Sequence, residues 1–151
     1  MVDNNIDFKF NIVGGFDESY KEIFNDFYEN CEYKDKINLV GFTDDVLSYI
    51  KTSDVFLFPS YGEGLSNAFL EAMSCNMVCI SYNNTSFPEL EELGLYFKIA
   101  KDRDIIDLKD TLLTVSKNVE VEKINSRINN DLIKKLFSEE LEMSRYKEIL
   151  I

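Results

Sequence analysis

Apolar residues in this chain fall into short runs separated by longer amphipathic stretches, and the two spacings together predict the architecture. Phe8-Lys9-Phe10-Asn11-Ile12-Val13 is a β-rich run that stops at Gly14-Gly15. From Asp17 to Asn30 the apolar positions Tyr20, Ile23, Phe24, Phe27 and Tyr28 recur at helical spacing. Ile37-Asn38-Leu39-Val40 predicts a second strand, stopped by Gly41, and Thr43 or Asp44 is placed to cap a short helix carrying Val46, Leu47 and Ile50. Asp54-Val55-Phe56-Leu57-Phe58 predicts a third strand, apolar on both faces after its first residue and ended by Pro59. A helix follows from about Ser66 to Ser74, then a fourth strand, Val78-Cys79-Ile80-Ser81-Tyr82. The polar run Asn83-Asn84-Thr85-Ser86 predicts a loop. Pro88 suits the first position of a short helix from Glu89 to Leu93, closed by Gly94. Residues 95–99 predict a fifth strand. From about Asp104 the pattern is helical, broken near Asn118 and near Phe137-Ser138. Ser138-Glu139-Glu140 reads as a further helix start, with acids at the positive end of the dipole.

Strands that are continuous apolar runs, alternating with helices, predict an α/β fold: a Rossmann-like parallel sheet with helices on both faces. Ligands of such sheets bind outside the carboxyl ends of the strands. That directs attention to the loops at residues 14–16, 41–43, 59–65 and 83–87. No internal repeat, linker or low-complexity tract interrupts the pattern, and 151 residues suit a single domain over 1–151. A chain of this length buries roughly 70% of its unfolded surface, enough for a real core.

Composition narrows the chemistry. The net charge of −12 argues against a nucleic-acid partner, which needs a basic face, and against electrostatic docking on an anionic membrane. A phosphate-bearing ligand must then be held locally, by backbone amides and a helix end. No run is long and apolar enough to span a bilayer, and the acidic, polar start is no signal peptide, so a cytoplasmic location is expected. Cys31, Cys75 and Cys79 are an odd set that reads as reduced thiols packed as small hydrophobes. The chain has no histidine, which excludes Ser-His-Asp and Cys-His catalytic units and the common zinc sets, so no metal site is expected.

The segment with chemical content is Pro59-Ser60-Tyr61-Gly62-Glu63-Gly64-Leu65-Ser66-Asn67-Ala68-Phe69-Leu70-Glu71-Ala72-Met73. It leaves a strand end and enters a helix. Gly62 and Gly64 permit unusual backbone angles and close approach of a ligand. The N–H groups near Leu65, Ser66 and Asn67 then form a phosphate-sized anion site aided by the helix dipole. Glu71 falls on the same helix face as Asn67, one turn on. Glu63 and Glu71 would repel phosphate but could accept hydrogen bonds from sugar hydroxyls. A plainer reading stays open: Glu63 also favours a helix N-terminus by about 0.3–1 kcal/mol, and Glu71 fits a solvated helix face.

On these residues the chain resembles the C-terminal, donor-binding domain of GT-B-fold retaining glycosyltransferases of the large "group 1" family. The motif is two glutamates separated by seven residues, and Pro59, Ser60, Glu63, Gly64, Glu71, Ala72 and Met73 match it. The flanks that match are Asn11-Ile12-Val13-Gly14-Gly15, Val40-Gly41-Phe42, Asp54-Val55-Phe56-Leu57-Phe58, Pro88-Glu89-Leu90 and Phe137-Ser138 with Arg145-Tyr146. The likeness runs from about Phe8 to Leu150.

The resemblance implies a role for each position. Glu63 would be the catalytic residue beside the donor sugar, and Glu71 would hold the ribose. Gly64, Leu65, Ser66 and Asn67 would give backbone contacts to sugar and diphosphate, and Gly41, Phe42 and Thr43 would pack beside the base. The donor would be a UDP- or GDP-sugar, bound as substrate with no cofactor or metal, and a hexose would pass to a glycan or lipid-linked acceptor. The resemblance also marks departures. The family's N-terminal acceptor-binding domain and the first strand of this domain, whose loop brings an Arg and a Lys to the diphosphate, have no counterpart among these residues. The usual Gly-Gly before Pro-Glu is replaced by Thr85-Ser86-Phe87, and the usual Gly-Lys-Pro after the helix by Asn76-Met77. Turnover is therefore expected only when an acceptor domain completes the site, whether on a separate acceptor-domain chain or on a longer chain of which these residues are part. The alternatives are a non-catalytic binding or interaction domain derived from this fold, and an unrelated flavodoxin-like protein.

Three further features have plain readings. Gly14-Gly15 suits a tight strand-to-helix turn better than a dinucleotide motif. Tyr20, Phe24, Phe27 and Tyr28 are expected to pack in the core. Lys98, Lys101 and Arg103 could replace the lost phosphate clamp, although a solvated turn is the simpler expectation.

Overall fold

The structure, a computed structural model, describes residues 6–15, 17–62 and 64–138. Its contacts divide the chain into two compact units, residues 1–49 and 50–151.

In the first unit β1 (Phe10–Val13) and β2 (Ile37–Gly41) pair in parallel. Phe10 lies opposite Ile37 and Ile12 opposite Leu39, with a bulge between Ile12 and Val13. The strand expected from Phe8 starts at Phe10 because its described partner starts there. A 3₁₀ turn, Glu18–Tyr20, leads into α1 (Lys21–Glu29). Asp17 caps that turn, accepting the Ser19 N–H at 2.8 Å. The same serine's hydroxyl and amide hold the Asp17 carboxyl below its ordinary pKa. The core role expected for the α1 aromatics holds only in part. Phe24 and Tyr28 are half-buried and stack at 6.1 Å, but Tyr20, Ile23 and Phe27 are 65%, 69% and 62% exposed. Two short strands and one helix offer too little apolar area to cover both sides of α1, and no described residue before Ile50 is buried.

α2 (Val46–Thr52) runs across the division between the units. At its entry Thr43, one of the two expected caps, is joined by Asp45. The Asp45 carboxylate takes the Ser48 hydroxyl at 2.7 Å, and the Thr43 hydroxyl takes the Asp45 N–H at 3.1 Å.

The second unit holds β3 (Val55–Phe58), β4 (Val78–Tyr82) and β5 (Lys98–Ala100), all parallel, in the order β3-β4-β5. Strand pairing among the described residues thus forms two parallel sheets rather than one. Alternation along the strands of the second unit sorts its core onto two faces. Phe56, Phe58, Cys79 and Ile99 face Phe69, Ala72 and Met73 of α3 (Asn67–Ser74), Phe87 and Leu90 of α4 (Phe87–Glu92), and Leu132 and Ile133 of α7 (Ile128–Leu136). Val55, Leu57, Val78, Ile80, Tyr82 and Ala100 face Leu108, Leu112 and Val115 of α5 (Ile105–Lys117). Helices therefore cover both faces, and the expected α/β class holds. Phe69 is fully buried at the centre of an aromatic cluster, 4.9 Å from Phe87 and 5.3 Å from Phe97 with edge-on geometry. Such pairs add about 0.5–1.5 kcal/mol each beyond burial.

Three boundaries differ from expectation. The fifth strand begins at Lys98, because both backbone groups of Tyr96 are taken by a side chain. The buried Asn129 accepts the Tyr96 N–H and donates to the Tyr96 carbonyl, each at 2.7 Å. Helix α4 begins at Phe87, with Pro88 in its first turn, where a missing N–H costs nothing. The C-terminal helices break at Arg127 as well as Asn118, giving α6 (Val119–Ser126) before α7. The helix start expected at Ser138-Glu139-Glu140 and the Arg145-Tyr146 pair lie outside the described residues. No helix among the described residues is long and apolar enough to cross a membrane.

Candidate functional site

The carboxyl ends of β3, β4 and β5 present three loops, and side chains tie them together. The loop at residues 59–66 leaves β3. Gly62 in it has φ +73°, a conformation that a side chain would strain. Ser66 then caps α3, its hydroxyl accepting the Phe69 N–H at 3.4 Å. With that donor satisfied, no described acceptor takes the N–H groups of Leu65, Ser66 or Asn67, the first of which precedes the cap and the last of which opens the helix. Asn67 and Glu71 are both exposed, one turn apart on α3, and no described side chain holds the Glu71 carboxylate. Gly64 and Leu65 are exposed. Glu63, the expected catalytic residue, lies outside the described residues.

The loop after β4 grips this segment. Asn84 donates to the Ser60 carbonyl at 3.2 Å and to Asp102, in the loop after β5, at 2.7 Å. Ser86 donates its hydroxyl proton to the Gly64 carbonyl at 3.0 Å. The Tyr61 ring stacks on Tyr82, centroids 5.5 Å apart and 11° from parallel, with the Arg103 guanidinium 5.3 Å from the Tyr61 ring. Burial pushes the Tyr82 phenol up, helped by its hydrogen bond with Tyr61. The sequence marks residues 59–65 and 83–87 as loops and Tyr82 as the end of a strand, but singles out neither Asn84 nor the Tyr61–Tyr82 pair. The only sequence signal was a polar Asn just past a strand end, a position where side-chain-to-backbone bonding is common.

Two departures from the family pattern have a structural expression. Thr85 has φ +48° and Asn76 has φ 62°, both in the left-handed region that glycine occupies without strain. Asn76 closes α3: its N–H bonds the Met73 carbonyl at 3.0 Å and the Met77 N–H bonds the Ala72 carbonyl at 3.2 Å.

The basic residues in and after β5 divide. The Lys98 ammonium lies 3.0 Å from Glu122 and 2.9 Å from the Tyr96 hydroxyl. Burial alone would lower its pKa, but those two bonds outweigh burial and raise it. Lys98 is therefore committed to α6. Arg103 stays 74% exposed beside Asp102, at 3.8 Å. Cys79 is buried, and that burial pushes its thiol far up, while Cys31 and Cys75 are half-buried; all three are free.

Gly41, Phe42 and Thr43 belong to the first unit. Gly41 has φ +71° and its carbonyl accepts the Gly14 N–H at 2.8 Å. Phe42 is 91% exposed, and its ring lies so close over Gly15 that a Cβ there would come within 2.3 Å of it. Gly15 thus serves a close approach.

A parallel sheet with helices on both faces, whose glycine loop runs from a strand's carboxyl end into a helix, is shared by many doubly wound α/β folds, and the structures it is similar to are GT-B glycosyltransferases. The fold is similar to that of Anabaena Alr3699/HepE, solved in complex with UDP, with a TM-score of 0.81 at 14% identity over 95% of this chain and 40% of that one. The sequence matches the family model for glycosyl transferases group 1 over residues 1–134, and the chain belongs to that family. A Staphylococcus aureus relative, "Capsular polysaccharide biosynthesis glycosyltransferase CapH", is 34% identical over 94 residues, 62% of this chain and 26% of its own length. An Escherichia coli relative, "UDP-Gal:alpha-D-GlcNAc-diphosphoundecaprenol alpha-1,3-galactosyltransferase", is 34% identical over 85 residues, 55% of this chain and 22% of its own length. The chain spans about a quarter of these curated relatives.

Proposed function

We propose that this chain is the donor-binding domain of a retaining glycosyltransferase. It would hold a UDP- or GDP-sugar and, completed by an acceptor-binding chain or domain, pass a hexose to a glycan or lipid-linked acceptor. The observation that carries this reading is the start of α3: backbone N–H groups at Leu65, Ser66 and Asn67 with no described acceptor, and, one turn beyond Asn67, Glu71, whose carboxylate no described side chain holds. A diphosphate takes the amides, assisted by the helix dipole, and the ribose hydroxyls donate to Glu71. Glu63, from the loop just before, is assigned to the sugar by the family's motif alone. Gly41, Phe42 and Thr43 are assigned to the base on the same ground. The donor and lipid-linked acceptor named for the Escherichia coli relative, and the capsular polysaccharide biosynthesis named for the Staphylococcus aureus one, make a UDP-sugar and a lipid-linked or capsular glycan the first candidates. No metal or cofactor is assigned, and a cytoplasmic setting suits three free thiols.

The test is calorimetric titration with UDP, GDP and ADP, then with UDP-glucose. One nucleotide should bind, and Glu71→Ala should abolish most of that binding. Binding that is indifferent to Glu71→Ala would remove the ribose role.

One observation favours the non-catalytic alternative. Lys98, at the start of β5, is held by Glu122, so of the three basic residues read as a replacement clamp only Lys101 and Arg103 stand at the carboxyl edge, in a chain of net charge −12. Sugar transfer by the chain once an acceptor domain is supplied would exclude that reading.

A further inference from the structure

The loop after β4 does more than connect a strand to a helix. We propose that Ser86 and Asn84 are positioning residues that set the glycine loop after β3 in its donor-binding conformation, a role that rests on the donor-site reading above.

Three observations carry this. First, Ser86 donates to the Gly64 carbonyl at 3.0 Å. The described chain has no cis peptide bonds, and in a trans peptide the carbonyl and the following N–H point in opposite directions. Fixing the Gly64 carbonyl toward Ser86 therefore aims the Leu65 N–H away from the β4 loop, where no described group accepts it. Second, Asn84 holds the Ser60 carbonyl at the other end of the loop, at 3.2 Å, and is itself anchored by Asp102 at 2.7 Å. The loop is thus pinned on both sides of the segment that contains Gly62 and Gly64. Third, the gripping residues stand on a firm base. Phe87, directly after Ser86, is 1% exposed in the aromatic cluster, and Tyr82, two residues before Asn84, is 2% exposed beneath Tyr61.

A glycine-containing loop without such ties samples many conformations, and ordering it on ligand binding costs affinity. The two hydroxyl and amide donors prepay that ordering. They touch no donor atom on this account; they act through Gly64 and Ser60. Ser86 and its neighbour Thr85 occupy the place where the family pattern has paired glycines, so the hydroxyl contact is a feature of this chain's own sequence.

The test compares Ser86→Ala, Ser86→Thr and Asn84→Ala with the parent chain by two readouts. One is the ¹⁵N backbone order parameter of Gly62, Gly64 and Leu65; the other is the UDP dissociation constant. Ser86→Ala should lower the order parameters at Gly64 and Leu65 and weaken UDP binding about three- to tenfold, the loss of one hydrogen bond. Ser86→Thr keeps the hydroxyl and should restore both. Thermal midpoints should move little, since neither side chain belongs to the core clusters. Unchanged order parameters and unchanged UDP affinity in both Ala variants would overturn the proposal while leaving the donor reading intact. Lower order parameters with undiminished UDP affinity would overturn it too. A parent chain that binds none of UDP, GDP and ADP would sink the donor reading, and this proposal with it.

Discussion

Replacing Thr85 with glycine should stabilise the protein. Thr85 has φ +48°, and a β-branched side chain in the left-handed region is a backbone outlier. The left-handed conformation costs an L-residue about 1–2 kcal/mol, and threonine's branch puts it near the upper end. Glycine removes that cost but adds about 0.5–1 kcal/mol of chain entropy to be lost on folding. The Thr85 hydroxyl's contact with Asn84 is a long 3.3 Å and exposed, so water replaces it at little loss. The balance is a gain of about 1 kcal/mol for Thr85→Gly. Thr85→Ala keeps a Cβ and hence most of the strain, so it should gain less than half as much. Urea unfolding is the assay, followed by near-ultraviolet circular dichroism, because the chain has no tryptophan and the Tyr61–Tyr82 stack reports on this edge. With a slope of about 1–3 kcal/mol per molar urea, the midpoint should rise by about 0.3–1 M. A lower midpoint for Thr85→Gly, or equal gains for glycine and alanine, would refute the strain argument.

Three other outcomes are expected. Ser81→Ala should be neutral or stabilising by up to about 1 kcal/mol in the same urea assay, because the Ser81 hydroxyl is fully buried with no described hydrogen-bond partner. Asn129→Ala should cost about 2–4 kcal/mol, since it strips partners from both backbone groups of Tyr96 and leaves a gap where a fully buried side chain was; thermal unfolding reads this directly. Stability should fall as pH rises above about 10, the ordinary tyrosine value. The sign follows from Tyr82: its pKa is raised in the folded state, so the native chain binds the proton more tightly and is penalised once the unfolded phenol ionises. Tyr82→Phe should flatten the alkaline arm of a stability-against-pH curve.

Much of this fold is visible in the linear chain because one local signal decides each element. Residues 78–82 are apolar enough to be a doubly covered strand, and all five are buried. The apolar helical pattern from about Ser66 predicts where α3 starts, and the structure adds that the Ser66 hydroxyl caps it. Elements decided by distant partners are not visible. Residues 95–97 have strand composition, yet Asn129, 33 residues further on, takes the backbone of Tyr96 and keeps it off the ladder. Tyr20 and Phe27 sit at helical spacing, which says that they share a face but not that anything covers it. At the candidate site, Asn67 and Glu71 were legible from helix periodicity, and both lie where the spacing put them. The ties from Asn84 and Ser86 were not, because a hydroxyl 22 residues from its carbonyl acceptor leaves no pattern in sequence.

On the donor-site reading, the amides at the start of α3 receive a nucleotide diphosphate. Titration of the ¹⁵N-labelled chain with UDP, observed by proton–nitrogen correlation spectra, tests it residue by residue. Saturable shifts should be largest at Leu65, Ser66 and Asn67, and most of each shift should be lost at the same UDP concentrations in Glu71→Ala. Shifts confined to other residues, or none at millimolar UDP, GDP and ADP, would contradict it.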